Sequence, residues 1–401
     1  MKFFWIMLLL VVISAGMWFS IRLYKDERGG RTLVFSPETM LSALWERYKF
    51  EYIEPDSGRT LDKQMGNITT SEGESYTLLR AVWQDDRETF DKSWAFTKDN
   101  LGRPNDHLFS WKFGERPDKT YGILVAQGGQ NTASDADSDI ALALIFAYSR
   151  WQQKTYLEAA LPIINDIWDK EVIIIGETPY MTADDLEKEE TSPSALVNPS
   201  YLSPYAYKIF ARFDTSHPWD KLSDSSYDII QKSMEASLDK TKSVGLVPNW
   251  ITLNRQTAAI VAPGNTSLST DYGYDALRTP WRLALDWQWF KDQRSEELLK
   301  KMSFLGDEWR TKGMLSATYA HDGGVVEMKE TPAMYGGSMG YFLVSDPGAS
   351  QAYYEKKLAP LYNPDTFAWR DKLGYYDDNL AWFGLATYFG RLPNLAESIQ
   401  W

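Results

Sequence analysis

From residue 36 onward one signal dominates the chain: apolar residues recur at helical spacing, segment after segment. Ser36-Pro37 opens the first such segment, with Ser as N-cap and Pro at the first helical position. Met40, Leu41, Leu44 and Tyr48 follow one turn apart. The same reading predicts helices over about 73–84, 86–101, 137–151, 155–172, 203–213, 219–241, 275–289, 295–313, 334–345, 348–360 and 375–390, twelve in all. Only short segments read as strands, such as Tyr121–Ala126, Val172–Ile175 and Gly323–Met328. There is no βαβ alternation and no low-complexity tract. Twelve helices with alternating short and long connections suit an all-α fold of six helical hairpins arranged in a ring. Their even spacing leaves no break for a domain boundary, so residues 31–401 read as one domain. The Pro-, Asp-, Glu- and Ser-rich stretch Thr178–Ser200 then reads as a loop bordering a cleft.

Composition narrows the chemistry. The 401 residues include no Cys, which excludes disulfides, thiolate metal clusters and a Cys nucleophile. Three scattered histidines, His107, His217 and His321, give little material for a zinc site. No metal or cofactor is expected. A net charge of −13 argues against nucleic acid as a partner. The 17 Trp and 23 Tyr are in excess, and their flat apolar faces with a polar edge suit sugar rings as well as a core.

The N-terminus reads as targeting. Lys2 precedes an uncharged apolar run, Phe3 to Ile21, close to the roughly 20 residues that span a bilayer. Ser14-Ala15-Gly16 also fits a cleavage site. Residues 1–30 are therefore expected to be a signal peptide or an N-terminal membrane anchor. Residues 3–21 would supply any tether, and the protein would be secreted or anchored on the extracellular side. A monomer is expected.

Three constellations carry candidate chemistry. In Ser71-Glu72-Gly73-Glu74, Ser71 and Glu74 have the spacing of a capping box. Glu72, followed by a residue without a side chain, is left for a ligand to approach. A helix N-terminus lowers a carboxyl pKa, so a general acid there needs apolar walls or a neighbouring carboxylate. The second is Asp135, Asp137 and Asp139. Calcium is excluded because Ile140 and Phe146 stand where an EF-hand needs Gly and Glu. Three Asp exceed what a helix dipole needs, and close carboxylates raise one another's pKa. The third is Asp275 and Arg278, three apart and set among aromatics, expected to pair on one helix face. Gly336-Gly337-Ser338-Met339-Gly340 matches a nucleophile elbow, but no His follows His321, which argues against a serine hydrolase. His321-Asp322 reads as a turn.

These blocks, in this order, resemble glycoside hydrolase family 8, the former cellulase family D. The resemblance is carried by Ser71-Glu72-Gly73, Ser110-Trp111-Lys112 and Ala133-Ser134-Asp135-Ala136-Asp137 with its apolar tail. It continues through Asn198-Pro199-Ser200-Tyr201, Tyr274-Asp275-Ala276 with Arg278 and Pro280-Trp281, and Tyr375-Tyr376-Asp377. It implies an (α/α)6 barrel and hydrolysis of β-1,4-linked glycans with inversion. Carried over, Glu72 is the general acid, Asp275 the base that activates water, and Asp135 the carboxylate that holds the sugar at the cleavage point. Trp111, Tyr201, Arg278 and Tyr376 are cleft residues that stack on or orient sugars.

An Asp at 275 points within the family to glucanases or xylanases, because the chitosanase branch draws its base from elsewhere. The expected activity is that of an endo-β-1,4-glucanase with a β-glucan polysaccharide as partner. Xylan or chitosan hydrolysis, and a non-catalytic glycan-binding barrel, are the alternatives. A polysaccharide lyase is disfavoured by the acidic charge. No binding module is visible beyond residue 390, which favours a role in polymer production.

Overall fold

A computed structural model describes residues 22–25, 31–34, 36–189, 192–265 and 267–399. The apolar run 3–21 lies outside the described residues, as does residue 401. Residues 22–25 pair antiparallel with 31–34, so a β-hairpin straddles the expected targeting boundary at residue 30.

The helices fall where apolar periodicity places them. They are α1 (Pro37–Tyr52), α2 (Ser71–Trp83), α3 (Arg87–Phe96), α4 (Ser134–Trp151), α5 (Lys154–Glu171), α6 (Pro204–Phe213) and α7 (Trp219–Glu235). Then follow α8 (Arg278–Phe290), α9 (Gln293–Lys301), α10 (Phe304–Lys312), α11 (Pro332–Ser345), α12 (Pro347–Tyr353) and α13 (Tyr375–Tyr388). Ser36 caps α1 as expected, its hydroxyl accepting from the Thr39 N–H at 3.2 Å. The expected helix 295–313 is two: Met302 leaves helical geometry at ψ 29° while its side chain stays buried. A short helical turn, Leu186–Glu189, is additional. The expected strand at Val172–Ile175 forms as written, pairing with Thr178–Met181, and the other two form as Tyr121–Ile123 and Val325–Glu327.

The ring has an inner and an outer layer, and burial distinguishes them. Helices α2, α4, α6, α8, α11 and α13 form the inner layer. In α2 every residue from Gly73 to Trp83 is buried, and in α4 every residue from Ser134 to Ala147 is. A helix apolar all round must be enclosed on all sides. The outer α5 buries one stripe only, Tyr156, Ala160, Ile163, Ile164, Ile167 and Trp168. Closure between the first and last inner helices rests on aromatic contacts. The Tyr76 and Phe383 rings meet edge-on at 5.3 Å, and Trp281 stacks on Phe383 at 4.5 Å.

The glycines of the false nucleophile elbow set the inner spacing. They lie inside α11, so helix rather than a strand leads into them. A Cβ at Gly336 would sit 1.9 Å from the Leu380 carbonyl of α13, and one at Gly340 would sit 2.1 Å from the Pro280 carbonyl of α8. Only glycine permits backbones that close. His321 is buried in a turn and shares a hydrogen bond with the Ala236 carbonyl at 2.8 Å.

Two local expectations fail. The cap of α2 is Thr70 rather than Ser71; its hydroxyl accepts from the Gly73 N–H at 3.0 Å. Glu74 does not turn back to the helix start. It is fully buried and accepts the Thr60 N–H at 2.7 Å, because the chain 53–62 packs over it and needs an acceptor there. And α8 begins at Arg278, so Asp275 stands in the turn before the helix rather than on it. The Asn249 side chain fixes that turn by accepting the N–H groups of Gly273 and Ala276.

Candidate active site

The inner helices α2, α4, α8 and α13 all begin at one end of the barrel, and the sequence candidates sit at those beginnings. Glu72 is in the first turn of α2, Asp135 in the first turn of α4, and Arg278 is the first residue of α8. Tyr375 and Tyr376 open α13. The ring therefore brings together residues as far apart as Glu72 and Tyr375, 303 positions.

Arg278 is the centre of the assembly. One of its terminal nitrogens donates to Glu72 at 2.5 Å and to Asp135 at 2.9 Å. The other donates to Asp275 at 3.0 Å and to the Ser200 hydroxyl at 3.1 Å. Nε donates to the Asp275 carbonyl at 3.2 Å. A guanidinium has five N–H groups, so all are used by the protein. With its side chain 2% exposed, Arg278 has no donor left to orient a sugar. Its place is beneath the site, holding three carboxylates.

Each carboxylate has further partners. The Tyr375 hydroxyl donates to Glu72 at 2.5 Å. Asp275 accepts from the Asn198 amide and from the Trp250 indole, both at 3.1 Å. Asp135 accepts the Ala136 N–H at 2.9 Å and is almost wholly covered. Glu72 and Asp275 remain open to the cleft, with 23% and 32% of their side chains exposed.

Burial pushes the Glu72 carboxyl up to about 7, against the pull of Arg278 and with the help of the Asp135 and Asp275 charges. This answers the objection that a helix N-terminus favours the ionised form. Loss of hydration is the larger effect. Asp135 is also raised, by burial first, with Arg278 and Arg282 opposing and Asp139 adding to it.

A cavity of about 470 Å³ opens here, lined by Glu72, Asp275, Trp111, Tyr274 and Tyr376 among others. Trp111 is held on edge, its indole donating to the Gly128 carbonyl at 2.9 Å. Tyr376 donates to the Tyr274 carbonyl. Tyr201 stands outside that lining, with its ring 5.0 Å from the Arg278 guanidinium and edge-on to Trp250 at 5.8 Å. A larger hollow, about 660 Å³ between Glu115–Lys119 and Ile123–Gln127, contains none of these carboxylates.

The three Asp of α4 are divided among tasks. Asp135 joins Arg278, Asp139 pairs with Arg282, and Asp137 turns away to accept the Phe109 N–H at 3.0 Å. Among the residues that hold the site, Trp250, Asn249 and Tyr375 had no role read from the sequence, nor did Asn198 and Ser200. Trp250 and Asn249 lie in a connection with no periodic signal. Tyr375 is visible as the neighbour of Tyr376, and only the helix phase at the start of α13 directs it toward Glu72.

The fold and site have counterparts. The model of the Glycosyl hydrolases family 8 matches residues 32–361, and the chain belongs to that family. It is thus a glycoside hydrolase with the (α/α)6 barrel architecture. Endoglucanase A of Acetivibrio thermocellus is 28% identical over 365 residues, covering 88% of this chain and 70% of that protein. Endoglucanase C of Ruminiclostridium cellulolyticum is 30% identical over 259 residues, and the match spans about half of that protein, 51%. Among solved structures, an endo-1,4-D-glucanase from Vibrio fischeri is 25% identical with a TM-score of 0.70, covering 86% of this chain and 94% of that one.

Proposed function

We propose that the protein hydrolyses β-1,4-linked glucan within the polymer chain, with inversion at the anomeric carbon. The observation that carries this reading is the gathering of Glu72, Asp135 and Asp275 around one guanidinium on a cleft. Three carboxylates share one buried cation. The excess negative charge and the burial together leave a proton on Glu72 near neutral pH.

Each group then has a task. Glu72 donates its proton to the glycosidic oxygen as the bond to C1 breaks. Asp275, held by Asn198, Trp250 and Arg278, accepts a proton from the water that attacks C1 from the opposite face. Asp135 supplies negative charge beside the oxocarbenium-like sugar and supports the proton on Glu72. Trp111 and Tyr376 offer ring faces and edges along the cleft. Arg278 acts through the three carboxylates. The endoglucanase names of the relatives support glucan over xylan or chitosan.

We further propose export, with residues 3–21 as signal or tether. All proposed catalytic groups come from one chain, which supports action as a monomer. Cell fractionation with an antibody to the barrel tests the location. Incubation with carboxymethylcellulose, lichenan, xylan and chitosan tests the substrate, with product anomers followed by NMR. Rapid release of α-anomeric ends from the glucans supports the reading; β-anomeric ends, or preference for xylan or chitosan, would overturn it.

A further inference from the structure

Behind the site lie two buried carboxyls that the proposed reaction does not use. Asp137, one turn-half below Asp135 on α4, and Glu171, the last residue of α5, are both fully buried. One oxygen of each has a protein donor. The Phe109 N–H donates to Asp137 at 3.0 Å, and the Thr132 hydroxyl donates to Glu171 at 2.5 Å. The second oxygen of each finds no N–H or hydroxyl donor. The two carboxyls lie within hydrogen-bonding reach of each other. Two adjacent acceptors with no donor between them are incompatible unless one is protonated. From this we infer that Asp137 and Glu171 share one proton, and that the resulting carboxylic acid–carboxylate pair positions the two halves of the active cleft.

The position of the pair explains what it would hold. Asp137 ties α4 to Phe109. Two residues on, the Trp111 N–H donates to the Asn131 carbonyl, and the Trp111 carbonyl accepts the Ser71 N–H at 3.0 Å, beside Glu72. Glu171 ties the end of α5 to Thr132, whose N–H and hydroxyl clasp Asp185, three residues before Asp135. The shared proton therefore joins the segment bearing Trp111 to the helix start bearing Asp135. Few cations are near. Arg103, in the loop before Phe109, gives one terminal nitrogen to Asp185 at 2.6 Å and Asp106 at 3.2 Å; its other terminal nitrogen is buried without a partner, and its charge opposes the rise at Asp137. From α6, the Tyr207 hydroxyl feels the Glu171 charge but is buried without a hydrogen-bond partner. Asp106 adds negative charge near Asp137 and Asp185 adds it near Glu171.

Burial raises both carboxyls well above their ordinary range. The sign follows. A carboxyl raised in the folded state binds its proton more tightly there than in the unfolded chain. Its contribution to stability is complete below the unfolded pKa and is lost as pH rises through the folded one. Loss of the shared proton would leave two unpaired anions in contact.

The test uses the intact protein and the variants Asp137→Asn and Glu171→Gln. An amide N–H replaces the shared proton in either variant, and the bonds to Phe109 or Thr132 are kept. Thermal midpoints are measured from acid to alkaline pH. The expected result is a fall on the alkaline side in the wild type that is mostly lost in each variant. Parallel falls in all three proteins would overturn proton sharing. Should a variant fail to fold, infrared titration of the wild type decides the matter. A buried carboxylic-acid carbonyl band that persists beyond those of Glu72 and Glu74 supports the pair, and its absence overturns it.

The positioning consequence rests on the proposed function and has its own readout. Asp137→Ala, which removes the acceptor for Phe109, is expected to raise KM for glucan ~10-fold with a smaller change in kcat, while Asp137→Asn stays near wild type. Equal KM values for Asp137→Ala and wild type would overturn the positioning role. A wild type inactive on every glucan would instead overturn the proposed function and leave proton sharing to the stability data.

Discussion

Two rungs join α4 to α8, one helical turn apart, and they use the same residue types to opposite ends. In the inner rung Arg282 meets Asp139 alone, in a two-pronged pair at 2.9 and 2.7 Å, with Ser203 and Tyr205 accepting from the same guanidinium. One cation meets one carboxylate, and both side chains are about 1% exposed. In the outer rung Arg278 meets Asp135, Glu72 and Asp275 together. One positive charge stands against three carboxylates, at the open end of the ring. The inner rung has no unmet charge and no access, which leaves it structural. The outer rung has surplus negative charge and a cavity, the two things an acid–base site needs.

Substitutions on the two rungs should therefore fail differently. Glu72→Gln removes the proposed acid and leaves its shape, so kcat should fall by about 10³–10⁴-fold with little change in thermal midpoint. Near-normal turnover would remove Glu72 from its role. Asp139→Ala leaves a buried guanidinium unpaired and should lower stability by about 3–5 kcal/mol in denaturant unfolding. A stable Asp139→Ala protein that has lost only activity would erase the distinction between the rungs.

The smallest effect is the sharpest. The Tyr375 hydroxyl favours the ionised form of Glu72. Tyr375→Phe should therefore move the alkaline limb of kcat/KM to higher pH, with a loss of activity of about tenfold or less. A shift to lower pH would contradict the geometry. The wild-type limb itself should fall near pH 7, since activity needs Glu72 protonated.

The contrast also shows what a sequence can disclose. Periodicity located the inner and outer helices because enclosure and half-burial write different patterns of apolar residues. It did not show the break at Met302, since Leu298, Leu299, Met302 and Leu305 keep burying through it. Glu72, Asp135 and Asp275 were legible because Gly follows Glu72, because three Asp exceed what a helix dipole needs, and because Asp275 is spaced to Arg278 among aromatics; their separate roles came from the family resemblance. Their common cation was only half legible. The spacing linked Arg278 to Asp275, but its bonds to Glu72 and Asp135 cross 206 and 143 residues and exist only once the ring closes. Trp250 and Asn249 left no trace because polar contacts from an irregular connection have no pattern. The division of labour among Asp135, Asp137 and Asp139 follows from helix phase, which sends alternate residues to different neighbours.

The central claim is that surplus carboxylate around Arg278, with burial, keeps a proton on Glu72. Carbon-13 NMR titration of the Glu72 side-chain carboxyl in the wild-type protein measures it directly. The account predicts an inflection near pH 7, lowered in Asp135→Asn as one neighbouring charge is removed. An inflection in the ordinary glutamate range, about 4.3, and unmoved by that substitution, would contradict it.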